Sequence, residues 1–492
     1  MSFPEILKTK PDPSAFPQNM AVYSTRLDPV VMNDGQNGGG FLRYNLENNI
    51  GGILDQNSHL CLSLALPSNK THCYYPAGIG IASLVKNCRL LIGGVEVASV
   101  NEWNMYQTVE STMSQGQTRK NYDTVKYGSN FYFKNNNDGA SLPADARDTM
   151  GFGGDNYVAL DKSDIGPQYL NTRVRDDDST TFQGSIPISY LFKFMKERQL
   201  PIFLMDDAVS VEIDLQDDVA NGFRYCNYDD DWAAGSKLVI NDCYMLCDYM
   251  LYPAETMEAI ADQQNSVGLK FDYQDVETNV SLINDPGNVT ESTFVQNIGG
   301  VNQRLRNIKI VNQPALSGAV QTSMALGQYC SDGRYTQKSC NLKINNSNYF
   351  PDNDMTYPQL YANLVHCYRP LKNFIPRPLF MYNGDNDDFN LPPNTTDASG
   401  QDFQGNDQQV AFGGQMSVLG YNLTDMEDVP LMNGDIPIEL NYYRKKVTNA
   451  GDPALNTLQE YLHAYLEYDR SFVLGRNGVS ISSSFIPADT PL

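Results

Sequence analysis

The sequence predicts an all-β protein in which one strand-rich unit occurs twice, and three observations carry that prediction. The first is composition. Of 492 residues, 41% are hydrophobic and only 19% charged, with 30 Tyr, 37 Gly and 26 Pro, a mixture that favours extended segments and irregular turns over long helices. The second is alternation. Leu60, Leu62, Leu64 and Leu66 are separated by Cys61, Ser63 and Ala65 and closed by Pro67, and Val209, Val211, Ile213 and Leu215 repeat the pattern, so each run buries one face of a strand. The third is repetition. Cys88-Arg89-Leu90-Leu91-Ile92 runs into Gly93-Gly94, and Cys340-Asn341-Leu342-Lys343-Ile344 runs into Asn345-Asn346. Each copy continues into a second short run and then a helix-like segment, around Trp103 to Val109 and Pro358 to Val365. Self-similarity on this scale limits the architecture more sharply than any motif.

Later landmarks recur in the same order with shrinking spacing. Phe182-Gln183-Gly184-Ser185-Ile186 matches Phe412-Gly413-Gly414-Gln415-Met416, Leu200-Pro201-Ile202 matches Val429-Pro430-Leu431, and Val209 to Ile213 matches Ile436 to Leu440.

Residues 1–38 contain Pro4, Pro11, Pro13, Pro17 and Pro29 without a sustained period and end at Gly38-Gly39-Gly40, so they read as an N-terminal arm. The first β unit spans 39–252. Within it, Leu90 to Val100 forms two strands joined at Gly93-Gly94, a dipeptide that supplies the positive φ angles of a tight hairpin. The helix-like segment follows, and then a long loop, 115–178, rich in Asn, Gly, Asp and Tyr. Connections of that length usually carry function or contacts. Strand signals return at Thr181 to Ile188, a short helix covers Tyr190 to Arg198, and Lys237 to Tyr252 is apolar enough for a central strand. Pro253 in a first-turn position and the spacing of Met257, Ile260 and Ala261 predict a linking helix over 253–265. The second unit and C-terminal tail occupy 266–492, with a long loop at 372–410.

Several function classes are excluded or left without support. A formal net charge of −23 disfavours direct, sequence-specific nucleic-acid binding, which needs clustered Lys and Arg. The basic spots Arg173/Arg175, Arg304/Arg306/Lys309 and Arg444-Lys445-Lys446 are small and read as loop or interface charges. The nine cysteines are scattered singly, without paired zinc spacing, and Cys243 and Cys247 belong to a strand. His72-Cys73 and His366-Cys367 are only half-sites for a metal. Asp385-Asn386-Asp387-Asp388 is rich in oxygen ligands but lacks the spacing and terminal Glu of an EF-hand; like Asp176 to Asp178 and Asp229 to Asp231, it reads as a solvated loop tip. No nucleophile elbow, phosphate loop or His-Glu-x-x-His helix is present. The expectation is a non-enzyme with no catalytic, cofactor or metal site. No secretory signal or membrane-length apolar run is visible, and the sequons at Asn69, Asn279, Asn288, Asn345, Asn394 and Asn422 read as by-products of an Asn-rich chain.

Two segments carry a family resemblance. Leu90-Leu91-Ile92-Gly93-Gly94-Val95-Glu96-Val97, followed by Trp103 and a helix, resembles the first-roll hairpin of the double jelly-roll major capsid proteins of double-stranded DNA viruses. Tyr468 to Ser483, with Asp469-Arg470-Ser471-Phe472 and Gly475-Arg476-Asn477-Gly478, is similar to the closing strand pair of their second roll, and leans towards the virophage and polinton-like members. The resemblance implies two consecutive eight-stranded jelly rolls with short helices and long loops. It further implies a homotrimeric, pseudo-hexameric capsomer tiling an icosahedral virion. The implied partners are further copies in neighbouring capsomers and minor capsid and penton proteins, with the arm contacting minor capsid proteins, neighbouring capsomers or an internal membrane. The alternative from another class is a β-sandwich that binds carbohydrate or mediates adhesion through exposed tyrosines.

Overall fold

The computed structural model describes residues 4, 7–8, 20–33, 40–46, 51–65, 72–76, 82, 84–114, 157–161, 172–174, 180–205, 207–215, 224–226, 239–283, 291–298, 304–314, 335–344, 346–349, 363–364, 366–368, 418–423, 437–446, 460–476 and 478–482. Sixteen strands and two helices build its frame. Before the second helix come β1 (Ala21–Leu27), β2 (Phe41–Leu46), β3 (His59–Ala65), β4 (Val85–Ile92), β5 (Val95–Val100), helix α1 (Trp103–Ser114), β6 (Thr180–Pro187), β7 (Val209–Leu215) and β8 (Val239–Leu251). Helix α2 (Ala254–Ser266) follows Pro253, whose missing N–H costs nothing at a helix start. After it come β9 (Leu269–Ile283), β10 (Glu291–Asn297), β11 (Leu305–Pro314), β12 (Tyr335–Ile344), β13 (Ser347–Asn348), β14 (Val418–Asn422), β15 (Ile438–Lys446) and β16 (Glu460–Gly475).

Sheet order shows the duplication directly. The first eight strands form two antiparallel sheets with orders β1-β8-β3-β6 and β2-β7-β4-β5, and the last eight form β9-β16-β11-β14 and β10-β15-β12-β13. Adding eight to each strand of the first pair gives the second pair. Each pair is a jelly roll, two four-stranded sheets face to face, and the fold is a double jelly roll. Short strands extend the frame: Val31–Asn33 beside β2, Ile53–Leu54 beside β8, Thr172–Val174 beside β6 and Gly478–Ser482 beside β16.

The hairpins at the two Cys-x-Leu-x-Ile motifs are equivalent. Ile92 pairs with Val95 across Gly93-Gly94, both glycines having positive φ, and Ile344 pairs with Ser347 across Asn345-Asn346, with Asn346 at φ 63°. Asn is among the few side-chain-bearing residues that tolerate that region. The registers also correct one sequence match. Leu90 lies opposite Val211 and Leu342 opposite Leu440, so Val211 corresponds to Leu440, two residues beyond the Ile438 expected from sequence. A two-residue slip keeps every side chain on its face, so alternation could not detect it.

The proposed arm is also shorter than expected. Within 1–38, Ala21–Leu27 is an end strand paired to β8 and Val31–Asn33 pairs with β2. Their side chains are largely exposed on both faces, which is why no apolar alternation marks them. Within 115–178, the described residues include two strands, Tyr157–Asp161 on His72–Pro76 and Thr172–Val174 on β6. The helix expected over Tyr190 to Arg198 is a short turn at Ile188–Leu191 and a 3-10 turn at Lys193–Lys196. The loop 372–410, the landmark Phe412 to Met416 and Val429-Pro430-Leu431 lie outside the described residues.

The second sandwich has its own apolar interior, including Leu342, Leu440, Leu462 and Leu466. The first does not end at its own strands: Leu269 and Phe271 of β9 and Phe472 and Leu474 of β16 belong to one continuous cluster with Cys88, Leu90 and Ile213 of the first roll. Gly420 on β14 shows how closely the second roll's helical turn is packed, since a Cβ there would lie 2.8 Å from Leu364 Cα and 3.0 Å from Cys367 Sγ. Gly420→Ala is expected to lower unfolding free energy by about 1–3 kcal/mol through overpacking, measured by chemical denaturation, while Gly475→Ala, where the nearest atom to the added Cβ is Gly478 O at 3.9 Å, lacks that clash.

Candidate functional site at the seam between the rolls

The seam is assembled by ordinary strand and helix periodicity. On β11 and β16, Ile308, Ile310 and Leu466 point into the second sandwich, so alternation turns Lys309 and Glu467 outward, towards the first roll. On α1, Tyr106 and Glu110 are one turn apart and share a face. The 3-10 turn of the first roll supplies Lys193. These four elements meet around one carboxylate.

Glu467 Oε1 accepts hydrogen bonds from Lys309 Nζ at 2.7 Å, Lys193 Nζ at 2.7 Å and Tyr106 Oη at 2.5 Å, while Oε2 accepts from Asn307 Nδ2 at 2.8 Å. Lys309 Nζ also donates to Glu110 Oε1 at 2.5 Å, which accepts from Tyr368 Oη at 3.1 Å. The lysine nitrogen sits 4.2 Å from the centre of the Tyr368 ring, within cation–π range. Two ammonium groups and two carboxylates thus balance in a site where Lys309 and Glu467 are each 2% exposed.

The protonation states follow from that geometry. Burial opposes ionisation of Glu467, but Lys193 and Lys309 overcome it and hold the carboxyl well below its usual range. Burial likewise opposes the Lys309 charge, yet Glu110 and Glu467 hold its pKa well above normal, and Glu110 is lowered by Lys309 and Lys193 despite burial. Tyr106 and Tyr368 are pushed up, first by burial and then by the acidic pair. Both phenols therefore remain donors.

A second set of contacts holds the main chain from Glu96 to Glu102, the end strand β5 and the start of α1. Arg470 Nη2 donates to Glu96 O at 3.0 Å, Tyr273 Oη to Val97 O, Thr278 Oγ1 to Asn101 O at 2.9 Å and Tyr465 Oη to Glu102 O at 3.2 Å. All four side chains come from the second roll. Arg470 is fixed in turn by Asp275 Oδ2 at 2.5 Å, and Phe472 stacks on Phe271 and meets Phe194 edge-on.

The residues singled out in the sequence fall elsewhere. Arg306 pairs with Asp469, and Lys309 is the member of its basic spot that became an interface charge. Among the described residues, no group of three or more His, Cys, Asp or Glu could hold a metal ion. Burial pushes the Cys367 thiol up, and the His72 and Cys73 side chains and the Asp-rich tips lie outside the described residues. The sequon amides of Asn279 and Asn422 donate to Ile298 O and His366 O, each at 3.1 Å, so they serve the fold. Sequence reasoning missed the roles of Glu467, Glu110 and Lys193. The available signal was a charge within an otherwise apolar strand, as in Ile308-Lys309-Ile310 and Leu466-Glu467.

The double jelly roll is the fold of major capsid proteins of giant viruses, virophages and related double-stranded DNA viruses. The chain is similar to the mavirus major capsid protein, with TM-score 0.54 and 12% identity over 95% of this chain and 92% of that one. It is similar to a chain of the Sputnik virophage structure, with TM-score 0.57 and 12% identity over 94% and 88%, and to the PBCV-1 virus capsid, with TM-score 0.51 and 12% identity over 94% and 97%. No family model matches the sequence, and no curated protein matches it.

Removing one partner from the seam should be costly. Lys309→Met leaves Glu467 and Glu110 with less compensation and is expected to destabilise the chain by about 3–5 kcal/mol. In a double-mutant cycle by denaturant unfolding, Glu110→Gln should cost less in the Lys309→Met background than alone.

Two buried groups set opposite pH slopes. Burial lowers His463 from 6.5 to about 4, so the unfolded chain binds its proton first and stability falls as pH drops from about 6.5 to 4. Asp275 is raised from 3.8 to about 6 by burial, partly offset by Arg470, so the folded chain binds its proton first and stability rises as pH drops through about 6 to 4. Each contributes about 3 kcal/mol over its window. Asp275→Asn should therefore steepen the acid loss of stability between pH 6.5 and 4, and His463→Asn should reverse its sign. Melting temperature against pH for the two variants reads both slopes.

Proposed function

We propose that the protein is the major capsid protein of a double-stranded DNA virus, located in the virion. Its two rolls would give a homotrimer six similar lateral outlines, a pseudo-hexameric tile for an icosahedral shell. The observation that carries this reading is the repeated strand order, 1-8-3-6 with 2-7-4-5 in each roll, held in one relative orientation by the seam. The similarity to capsid proteins over more than nine-tenths of this chain supports it. Neighbouring capsomers, minor capsid and penton proteins, and a membrane beneath the shell are the partners this role brings. The helix at 253–265 would link the two rolls, the rolls would form the wall of the tile, and the loops at 115–178 and 372–410 would form its outer surface.

The carbohydrate-binding alternative requires tyrosines gathered on one open face. Among the described residues, Tyr44, Tyr249, Tyr421 and Tyr465 are fully buried, and the exposed Tyr23 and Tyr461 lie on strands of different rolls. The structural role has the stronger support.

Native mass spectrometry should find a species of three 54.9 kDa chains, and negative-stain electron microscopy should show hexagonally outlined particles. Because each chain carries a formal charge of −23, copies repel one another, and raising ionic strength should strengthen association by screening. A monomer at every concentration and salt level would overturn the proposal.

A further inference from the structure

The two segments that resemble the family contain glycine turns that the capsid reading leaves without a role. Gly93-Gly94 closes the β4–β5 hairpin of the first roll, and Gly475 to Gly478 closes the pairing of β16 with Gly478–Ser482 in the second. The fold brings both turns to one side chain. A Cβ on Gly93 would lie 2.8 Å from Asp207 Oδ2, and a Cβ on Gly478 would lie 3.0 Å from the same oxygen, both inside van der Waals contact. Gly94, by contrast, has positive φ but open space around it. In the equivalent second-roll hairpin the turn is Asn345-Asn346, so this kind of turn accepts side chains, and its first position is empty in the first roll where Asp207 approaches. A second side chain joins the same elements. Gln264 of α2 is 7% exposed, and its Nε2 donates to Leu204 O of the first roll at 3.1 Å and to Gly475 O of the second at 3.3 Å. Gly93 N donates to Ala208 O at 3.0 Å, which holds the first-roll turn against the residue after Asp207. Val479, one residue beyond the second turn, packs against the apolar cluster that fills the first roll.

We propose that Asp207 and Gln264 form a second joint between the rolls, Asp207 as the spacer on which both glycine turns seat and Gln264 as the tie that holds them, and that this joint fixes the angle between the rolls. The contacts of Glu467, Arg470 and Phe472 run along β16, and Gly475 carries the line of contact to the end of that strand. Gly475 is eight residues beyond Glu467, about 26 Å at the rise of an extended strand, so a displacement of about 1 Å at the joint corresponds to a tilt of about 2°. The seam and the joint resist motion by different means. The seam penalises separation through buried charge. The joint works by fit: a turn that shifts towards Asp207 meets its carboxylate, and a turn that shifts away takes the Gln264 amide from the carbonyls of Leu204 and Gly475. The inference rests on the capsid reading in its purpose alone, since a tile with two similar outlines needs them at a set angle.

Double-mutant cycles by denaturant unfolding read the fit. Gly93→Ala and Gly478→Ala each combine backbone strain at positive φ with a clash on Asp207, and Asp207→Gly removes the clash alone. Each alanine is expected to lower the unfolding midpoint less beside Asp207→Gly than by itself, while Gly94→Ala, which carries strain without a clash, lowers it equally in both backgrounds. Hydrogen exchange on the folded chain reads the tie between the rolls. Gln264→Leu is expected to make the amides of Gly478–Ser482 exchange about tenfold faster, and Asp207→Gly, a first-roll change, to speed the same second-roll amides, with Ile438–Lys446 unchanged in both variants. Additive costs in the cycles, or exchange at Gly478–Ser482 that matches wild type in both variants, would overturn the inference and leave the capsid reading standing. A wild-type chain that stays monomeric at every concentration would overturn the capsid reading and leave the joint, because both measurements are made on the single chain.

Discussion

Glu467 is the group around which the two rolls are arranged. Taken from water, a carboxylate and an ammonium each lose several kcal/mol of solvation even after relaxation. Their attraction at 2.7 Å is about 6 kcal/mol per contact at an effective dielectric near 20. The terms nearly balance, so the network adds little net stability. Its influence lies in what it forbids: sliding or rotating one roll would strand buried charges without partners. Lys309 contacts Glu110 on α1 as well as Glu467 on its own sheet, which makes the penalty depend on both rolls at once.

The apolar parts of the seam follow from the same constraint. Strand β16 is long enough to serve two cores, with Leu462 and Leu466 inside the second sandwich and Phe472 and Leu474 in the cluster that fills the first. A roll cut away from its neighbour would expose Phe271 and Phe472 and lose the donors that cover the carbonyls of Glu96, Val97 and Asn101. End strands with open carbonyls are templates for unwanted pairing; here β5 is covered by side chains of the other roll. The duplication thus makes one cooperative body out of two topologically equal parts, whose surfaces differ because each roll uses a different face.

Much of the fold was legible in the sequence because turn chemistry and alternation are local. Gly93-Gly94 and Asn345-Asn346 announce their hairpins through backbone tolerance alone, and the Leu60 to Leu66 run through its period. What was hidden depends on distant partners. β1 shows no apolar alternation because its side chains are largely exposed on both faces, so it read as part of an arm. The match of β7 to β15 slipped by two residues because alternation is unchanged by that shift. Lys309 was visible only as one of three nearby cations; its meaning comes from Glu110 and Glu467, which lie far away in the chain, and no spacing rule links them.

The contrast between the internal seam and the exposed β1–β8 face has a physical logic. Charges in the internal seam are brought together during folding and need not separate again, so their desolvation is met once, alongside the burial of a shared core. A surface that stays in water cannot use the same device: its ammonium and carboxylate groups are hydrated, and stripping that water opposes burial. Beside β8, strand β1 instead carries exposed Val22, and its Arg26 is already paired with Asp242 within the chain. Covering apolar area of that kind strands no charge, whereas opening the seam would leave Lys309 and Glu467 without partners.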